Sequence, residues 1–338
     1  MKILFYSTKS FEKNYLAAAN HSDHELVFTE EVLSQETAHL AEGFEVISIF
    51  TADDASAVVI NSLSSAGVKF IAIRAAGYDN VDLEAAGKHD IQVTNVPEYS
   101  PYAIAEHAVA LILSLSRRIV IAHEQLKKQN FTLDNLVGFD LHNKTVGVIG
   151  TGRIGSVFAK IMHGFGCKIL AYDLQKDEQL ISRYDVRYAA LQDVCRKSDI
   201  ISLHLPLNKE TKHLIAAPLL RLMKKGAMLI NTARGAVVNT EDVYTFLANG
   251  HLGYYGMDVY EKEKGVFFFD HTWQKLDDAV LHQLMRMPNI LVTPHQAFAT
   301  KEALRNIAST TFDNIDAWLN YQRSGNELIV QESFIKQA

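Results

Sequence analysis

A glycine-rich loop set between an apolar strand and a helical window constrains this chain more than any other feature. The run Thr145-Val-Gly-Val-Ile149 leads into Gly150-Thr151-Gly152-Arg153-Ile154-Gly155, and a helical pattern follows from Arg153 to Phe165. G-x-G-x-x-G between a strand and a helix is the mark of a βαβ unit that binds a dinucleotide. The first glycine permits a tight turn, the second lets a pyrophosphate approach the backbone, and the third lets helix and strand pack closely. The helix N-terminus, at Arg153 and Ile154, offers N–H groups and positive potential to the phosphates. No Lys-Ser or Lys-Thr follows the glycines, so a Walker loop is excluded. Asp173 ends the strand-like run Lys168–Asp173, 18 residues beyond Gly155. A carboxylate there accepts both ribose hydroxyls of an adenosine and repels a 2′-phosphate, which favours NAD over NADP.

The rest of the chain repeats this alternation. Strand-like runs cover residues 2–6, 45–49, 58–60, 70–74 and 91–95, and a second series covers 145–149, 168–173, 200–205, 227–231, 256–259 and 290–293. Several, such as VGVIG, IISLHL and MLIN, are apolar throughout, as expected of parallel strands buried on both faces in an α/β fold. The window from Ala103 to Gln129 reads as one long helix, with Pro101 in its first turn and Ser100 as its N-cap, and serves as the hinge between domains. A last helix is expected over Lys301–Leu319. At about 150 residues per domain, 338 residues suggest two domains.

Composition removes other classes. A hydrophobic share of 48% with 21% charged residues is that of a globular chain, not a disordered or disulfide-framed one. The formal charge of −6 and the scattered basic residues give no stripe for nucleic acid. Two cysteines, Cys167 and Cys195, fit a reduced cytoplasmic setting. The start, MKILFYSTKS, is not expected to be a signal peptide, and Ala108–Leu115 is too short for a bilayer, which needs about 20 residues. No HExxH or CxxC occurs, and His21 and His24 lack partners at ligand spacing, so no metal is expected.

Further segments carry a resemblance. They are RAAGYDNVDL (74–83), NVPEYSPYAIAEH (95–107), HLPL (204–207), NTARGAVVN (231–239), GMDVYEKE (256–263) and PNILVTPH (288–295). Together with the glycine loop they resemble the D-2-hydroxyacid dehydrogenase family over nearly the whole chain, and within it most resemble the fermentative, NAD-dependent D-lactate dehydrogenases. The resemblance implies two Rossmann-like α/β domains. The NAD-binding domain, 101–297, is inserted into a discontinuous, flavodoxin-like substrate domain made of 1–100 and 298–338, with a cleft between them. It also implies a catalytic trio of Arg234, Glu263 and His295. Their separations of 29 and 32 residues put each at the end of a different strand, and such ends converge in an open parallel sheet.

The residue types suit the reduction of a 2-oxo acid. An arginine fork holds a carboxylate or carbonyl with paired, charge-assisted bonds. Imidazole transfers a proton near neutrality, and a carboxylate on its second nitrogen fixes the tautomer. Glu261 competes with Glu263 in the charged run Glu261-Lys-Glu-Lys264, and only the family register selects Glu263. The resemblance further implies that NAD meets Leu205, Pro206, Thr211, Thr232, Ala233, Arg234 and Asp258, with Asp258 facing the nicotinamide amide. It places Ala76 and Gly77 N–H groups on the substrate carboxylate, and Tyr99 and Phe298 around the substrate with Arg234 and His295. The activity implied is reversible reduction of pyruvate to D-lactate by NADH. A larger 2-oxo acid is one alternative, and an NAD(H)-sensing scaffold or co-repressor is another. Relatives form homodimers or homotetramers, with the apolar Ala103–Leu115 helix as a plausible contact.

Overall fold

The structure, a computed structural model, describes residues 1–274 and 276–328. The chain divides into two compact units, Met1–Ser100 with Ala299–Ala338, and Pro101–Phe298.

In the first unit, β1 (Lys2–Phe5), β2 (Glu25–Phe28), β3 (Val46–Ile49), β4 (Phe70–Ile73) and β5 (Gln92–Thr94) form a sheet in the order β2-β1-β3-β4-β5. Every pairing is parallel. Successive side chains point to opposite faces, and both faces are covered. Leu4, Ile47, Ile49, Ile71 and Ile73 pack with Val59, Ile60 and Leu63. Ile3, Phe5, Val46, Phe70 and Ala72 pack with Leu16 and with Ala308, Phe312 and Ile315 of the helix Lys301–Leu319.

The strand expected over 58–60 is instead part of the helix Ala57–Ser65. Its β-branched residues suggested a strand, but the buried positions are Val59, Ile60 and Leu63, a helical face, while Val58 is 52% exposed. β2 left no clear sequence signal because this edge strand has no fully buried residue.

In the second unit, β6 (Thr145–Ile149), β7 (Lys168–Tyr172), β8 (Arg187–Tyr188), β9 (Ile200–Leu203), β10 (Ala227–Asn231), β11 (Leu252–Met257) and β12 (Ile290–Val292) make a parallel sheet. Its order is β12-β11-β10-β9-β6-β7-β8. The order reverses at β6, and ligands of open α/β sheets bind beyond the carboxyl ends at such a point. β11 starts four residues before the expected run, at Leu252. Its glycines hid it: a side chain at Gly253 would strike Gly226 O at 2.4 Å, and one at Gly256 would strike Ile230 Cδ1 at 2.8 Å.

The long helix expected over 103–129 is two helices, Pro101–Ser116 and Ile119–Lys127, separated at Arg118 with φ +54°. The cause is local. Phe139 N donates to Ser116 O at 3.2 Å, and Gly138 passes so close that a Cβ would lie 1.9 Å from that oxygen. The returning chain therefore takes the carbonyl a continuing helix would need. Ala105, Ala108, Leu111, Ile112 and Leu115 are buried among Val146, Val148, Phe158 and Ile230. That burial makes the first helix a core element, the reading that its apolar sequence leaves open beside a subunit contact.

Candidate active site

The glycine loop leaves β6 under two constraints. Gly150 has φ +92°, and a Cβ there would lie 2.4 Å from His204 O at the end of β9. A Cβ on Gly155 would lie 1.9 Å from Gly150 O. Gly152 differs, because a Cβ there would meet nothing within 4 Å. It caps the helix Arg153–Gly164 with no side-chain hydrogen bond, so Arg153 and Ile154 start a helix whose N-terminus is open to an anion. Burial pushes His204 down to about 3, which keeps it neutral beside the loop. Its Nε2 lies 2.9 Å from Ser202 Oγ.

Asp173 follows β7. Its Oδ2 accepts from Thr151 N at 2.6 Å and from Thr151 Oγ1 at 3.2 Å, and its Oδ1 accepts from Gln175 N at 3.0 Å. The carboxylate expected to meet a ribose is thus held against the loop expected to hold the pyrophosphate. Tyr188 adds to this brace. Its hydroxyl lies 2.8 Å from Thr151 Oγ1 and accepts from Asp177 N at 3.0 Å. No motif flagged Tyr188; its two-residue strand is too short to show periodicity.

The remaining expected NAD contacts lie on neighbouring strand ends. Thr211 Oγ1 donates to Pro206 O at 2.7 Å and accepts from Asn208 N at 2.8 Å, closing the loop after Leu205. Leu205 packs beside Gly150. After β10, Ala233 N donates to Asn231 Oδ1 at 3.1 Å. Thr232 Oγ1 is buried and has no hydrogen-bond partner among the described residues. A dinucleotide fits these features: an open cradle at Gly152, an uncapped helix end, and an orphaned hydroxyl whose burial is costly until it is paired.

Asp258 is buried, and its oxygens are engaged by protein. Oδ1 accepts from Thr293 Oγ1 at 2.6 Å and Gln296 N at 2.9 Å, while Oδ2 accepts from Ala297 N at 2.9 Å. His107 Nε2 is 3.3 Å from Oδ1 and 2.9 Å from Thr293 Oγ1. Burial raises the Asp258 pKa, but the bonds from His107 and Thr293 outweigh it and hold the carboxyl below its usual range. Asp258 was expected to face the nicotinamide amide. In the structure it also supports the turn that carries His295. His107 and Thr293 sit inside the AEH and TPH segments that carried the resemblance, but spacing alone did not mark them as partners of Asp258.

The proposed reacting groups come from β10, β11 and β12, which are sheet neighbours. His295 has φ +54°, and its N–H donates to Asp258 O at 2.7 Å. Its Nδ1 lies 2.9 Å from Glu263 Oε1. Glu263 Oε2 accepts from Tyr260 N at 2.9 Å. Because an ionised carboxylate only accepts, Nδ1 is the donor, which leaves Nε2 for chemistry. Glu261 is hydrogen-bonded to His213 Nε2 instead, so geometry as well as family register separates the two glutamates. Arg234 O accepts from Asn231 Nδ2 at 2.9 Å, and Arg234 Nη1 donates to Ala233 O at 2.8 Å. The next residue, Gly235, presses on the Tyr260–Glu261 peptide, where a Cβ would come within 2.1 Å of Tyr260 C. This glycine docks the arginine loop onto the glutamate segment. Phe298 is buried at the end of the second unit.

Ala76, Gly77 and Tyr99 belong to the first unit. Ala76 O accepts from Asn95 Nδ2 at 2.7 Å, and Tyr99 O accepts from Asn306 Nδ2 at 2.7 Å. The N–H groups of Ala76 and Gly77 donate to no group among the described residues. Beneath them, the buried Arg74 donates to Glu12 Oε2 at 3.0 Å, Ser48 Oγ at 3.1 Å and Tyr6 O at 2.8 Å. Among the described residues, no three His, Cys, Asp or Glu side chains group as metal ligands would.

Residues 109–297 match the family model described as "D-isomer specific 2-hydroxyacid dehydrogenase, NAD binding domain". A 2-hydroxyacid dehydrogenase homolog of Zymomonas mobilis is 45% identical over 317 residues, covering 93% of this chain and 96% of the relative. A solved structure of the pyruvate reductase of Chlamydomonas reinhardtii is similar with TM-score 0.91 and 41% identity, covering 96% of this chain and 98% of that one. D-lactate dehydrogenase from Aquifex aeolicus, solved with NAD and lactic acid, is similar with TM-score 0.87 and 34% identity, covering 98% of this chain and 100% of that one.

Proposed function

The chain belongs to the D-isomer-specific 2-hydroxyacid dehydrogenases, and from that premise we propose that it reduces pyruvate reversibly to D-lactate with NADH. It is an oxidoreductase that uses NAD, and the second unit is its NAD-binding domain. The observation that carries the finer reading is the His295–Glu263 pair at 2.9 Å, on strand ends beside the one that bears Arg234. The choice of pyruvate is supported by the pyruvate reductase and the lactic acid complex among similar structures.

When bound, NADH supplies the hydride received by C2 of the oxo acid. Gly150, Gly152, Arg153, Ile154 and Gly155 would hold its pyrophosphate, Asp173 its adenosine ribose, and Leu205, Pro206, Thr211, Thr232, Ala233, Arg234 and Asp258 the rest. Arg234 clamps the substrate through a planar fork that matches a carboxylate. His295 Nε2 gives the proton to the carbonyl oxygen and takes it back in oxidation, while Glu263 holds Nδ1 and balances the imidazolium. Asp258 holds the turn that presents His295. In the first unit, read as the substrate domain, Ala76 and Gly77 offer N–H groups to the carboxylate. Tyr99 in the first unit and Phe298 in the second are each assigned to the substrate.

NADH oxidation against pyruvate, 2-oxobutyrate, 2-oxoisocaproate, phenylpyruvate, oxaloacetate and hydroxypyruvate, with NADPH in parallel, tests this reading. A kcat/KM that peaks at pyruvate with NADH supports it. A peak at a bulkier acid moves the substrate, and absence of turnover despite NADH binding favours a sensing scaffold.

We assign the functional unit as a homodimer or homotetramer in the cytoplasm. The helix Ile119–Lys127 buries none of its residues. Phe131, Leu133 and Val137 are 76%, 77% and 85% exposed, and an apolar surface of this kind marks a protein contact. Sedimentation of Val137→Glu at a lower mass than wild type supports this surface as the contact, and an unchanged mass rejects it. No helix among the described residues is long and apolar enough to cross a membrane. Both cysteines are buried and free.

A further inference from the structure

Phe268 lies in the segment that leads away from Glu263. Its ring centroid is 5.6 Å from that of His295, with the planes inclined by 39°. Both residues have left-handed backbone, at φ +69° for Phe268 and +54° for His295. For a bulky side chain this conformation is a true outlier. It persists where surrounding structure imposes it, and such residues gather at functional sites.

The surroundings are visible here. Val266 N and Phe267 N both donate to Glu263 O at 2.9 Å. His271 Nε2 lies 3.1 Å from Val266 O. Phe267 is buried, with its ring 6.3 Å from that of Tyr260. These contacts fold 263–268 into one tight loop, both ends of which reach the same imidazole. The Glu263 carboxylate is at Nδ1, and the Phe268 ring is against the His295 side chain.

We propose that Phe268 is a positioning residue for proton transfer. Its ring restrains the imidazole of His295 so that Nδ1 stays on Glu263 and Nε2 keeps one direction. The left-handed backbone at Phe268 is the strain that this placement requires. The inference rests on the reading of His295 as the proton donor.

The test uses the full chain with Phe268→Gly, Phe268→Tyr and, as a control on the parent reading, His295→Ala. Glycine accepts φ +69° without strain, so Phe268→Gly should keep or raise Tm. Its kcat for pyruvate should fall about tenfold or more, since small misplacement of a reacting group costs rate steeply. NADH affinity should stay within about twofold, and the deuterium isotope effect on kcat with 4-deuterated NADH should rise as chemistry becomes slower. Phe268→Tyr should recover most of the turnover. A kcat for Phe268→Gly within about twofold of wild type overturns the proposal. So does a loss of kcat that comes with a lowered Tm and is not recovered by tyrosine. Retained turnover in His295→Ala counts against the parent reading and removes this one with it.

Discussion

Glu263 reaches His295 and the backbone at once: Oε1 is 2.9 Å from His295 Nδ1, and Oε2 accepts from Tyr260 N at 2.9 Å. The backbone bond fixes the carboxylate, and the fixed carboxylate orients the imidazole. Glu263→Gln keeps the shape and removes the charge that stabilises an imidazolium. Turnover of pyruvate should fall about 10²-fold, the lower end of what general acid catalysis supplies, with NADH affinity unchanged. Steady-state kinetics paired with NADH fluorescence titration checks this.

Asp258 carries a pH signature. Its carboxyl is held below the usual range because bonds from His107 and Thr293 outweigh burial. A depressed carboxylate contributes stability above its unfolded pKa of about 3.9, and that contribution is lost as pH falls through the lower folded value. Asp258→Asn should therefore be destabilised by about 2 kcal/mol at neutral pH, since an amide cannot accept all the donors that meet Asp258. The gap to wild type should hold between about pH 5 and 8 and close below about pH 4. Thermal melts across pH give the answer.

The three glycines of the loop should separate folding from binding. Gly155→Ala pushes a methyl into Gly150 O and should lose about 1–3 kcal/mol of stability. Gly152→Ala meets open space in the protein, so Tm should not move, while NADH binding weakens about tenfold or more because the methyl enters the pyrophosphate's approach. Equal NADH affinity in Gly152→Ala and wild type would count against the cradle.

Asp173→Ala removes both the expected ribose acceptor and the brace on Thr151. NADH should weaken by about tenfold, roughly the loss of one charge-assisted bond, and its advantage over NADPH should narrow. An unchanged cofactor ratio rejects the role.

Much of this was legible because the fold depends on short-range signals. The strand ending at Ile149, the three glycines and Asp173 lie within 29 residues, and each states its own backbone requirement. The helix Lys301–Leu319 has the bounds its periodicity suggested. What the sequence hid depends on distant contacts. The break at Arg118 follows from Gly138 pressing on Ser116, and β11 was obscured by glycines that admit neighbouring groups. Glu261 and Glu263 differ spatially in which histidine each meets, His213 or His295, and that is a contact between distant segments. Asp258 reads as a strand-end carboxylate in the sequence, and only the fold shows that it organises the turn bearing His295.

The most direct test of the account is the kcat of His295→Ala for pyruvate, measured beside NADH binding by fluorescence. Proton transfer by a placed imidazole supplies about 10²–10⁴-fold, so kcat should fall by that much while the Kd for NADH stays near that of wild type. Turnover within a few-fold of wild type would contradict the central claim that the His295–Glu263 pair performs the chemistry.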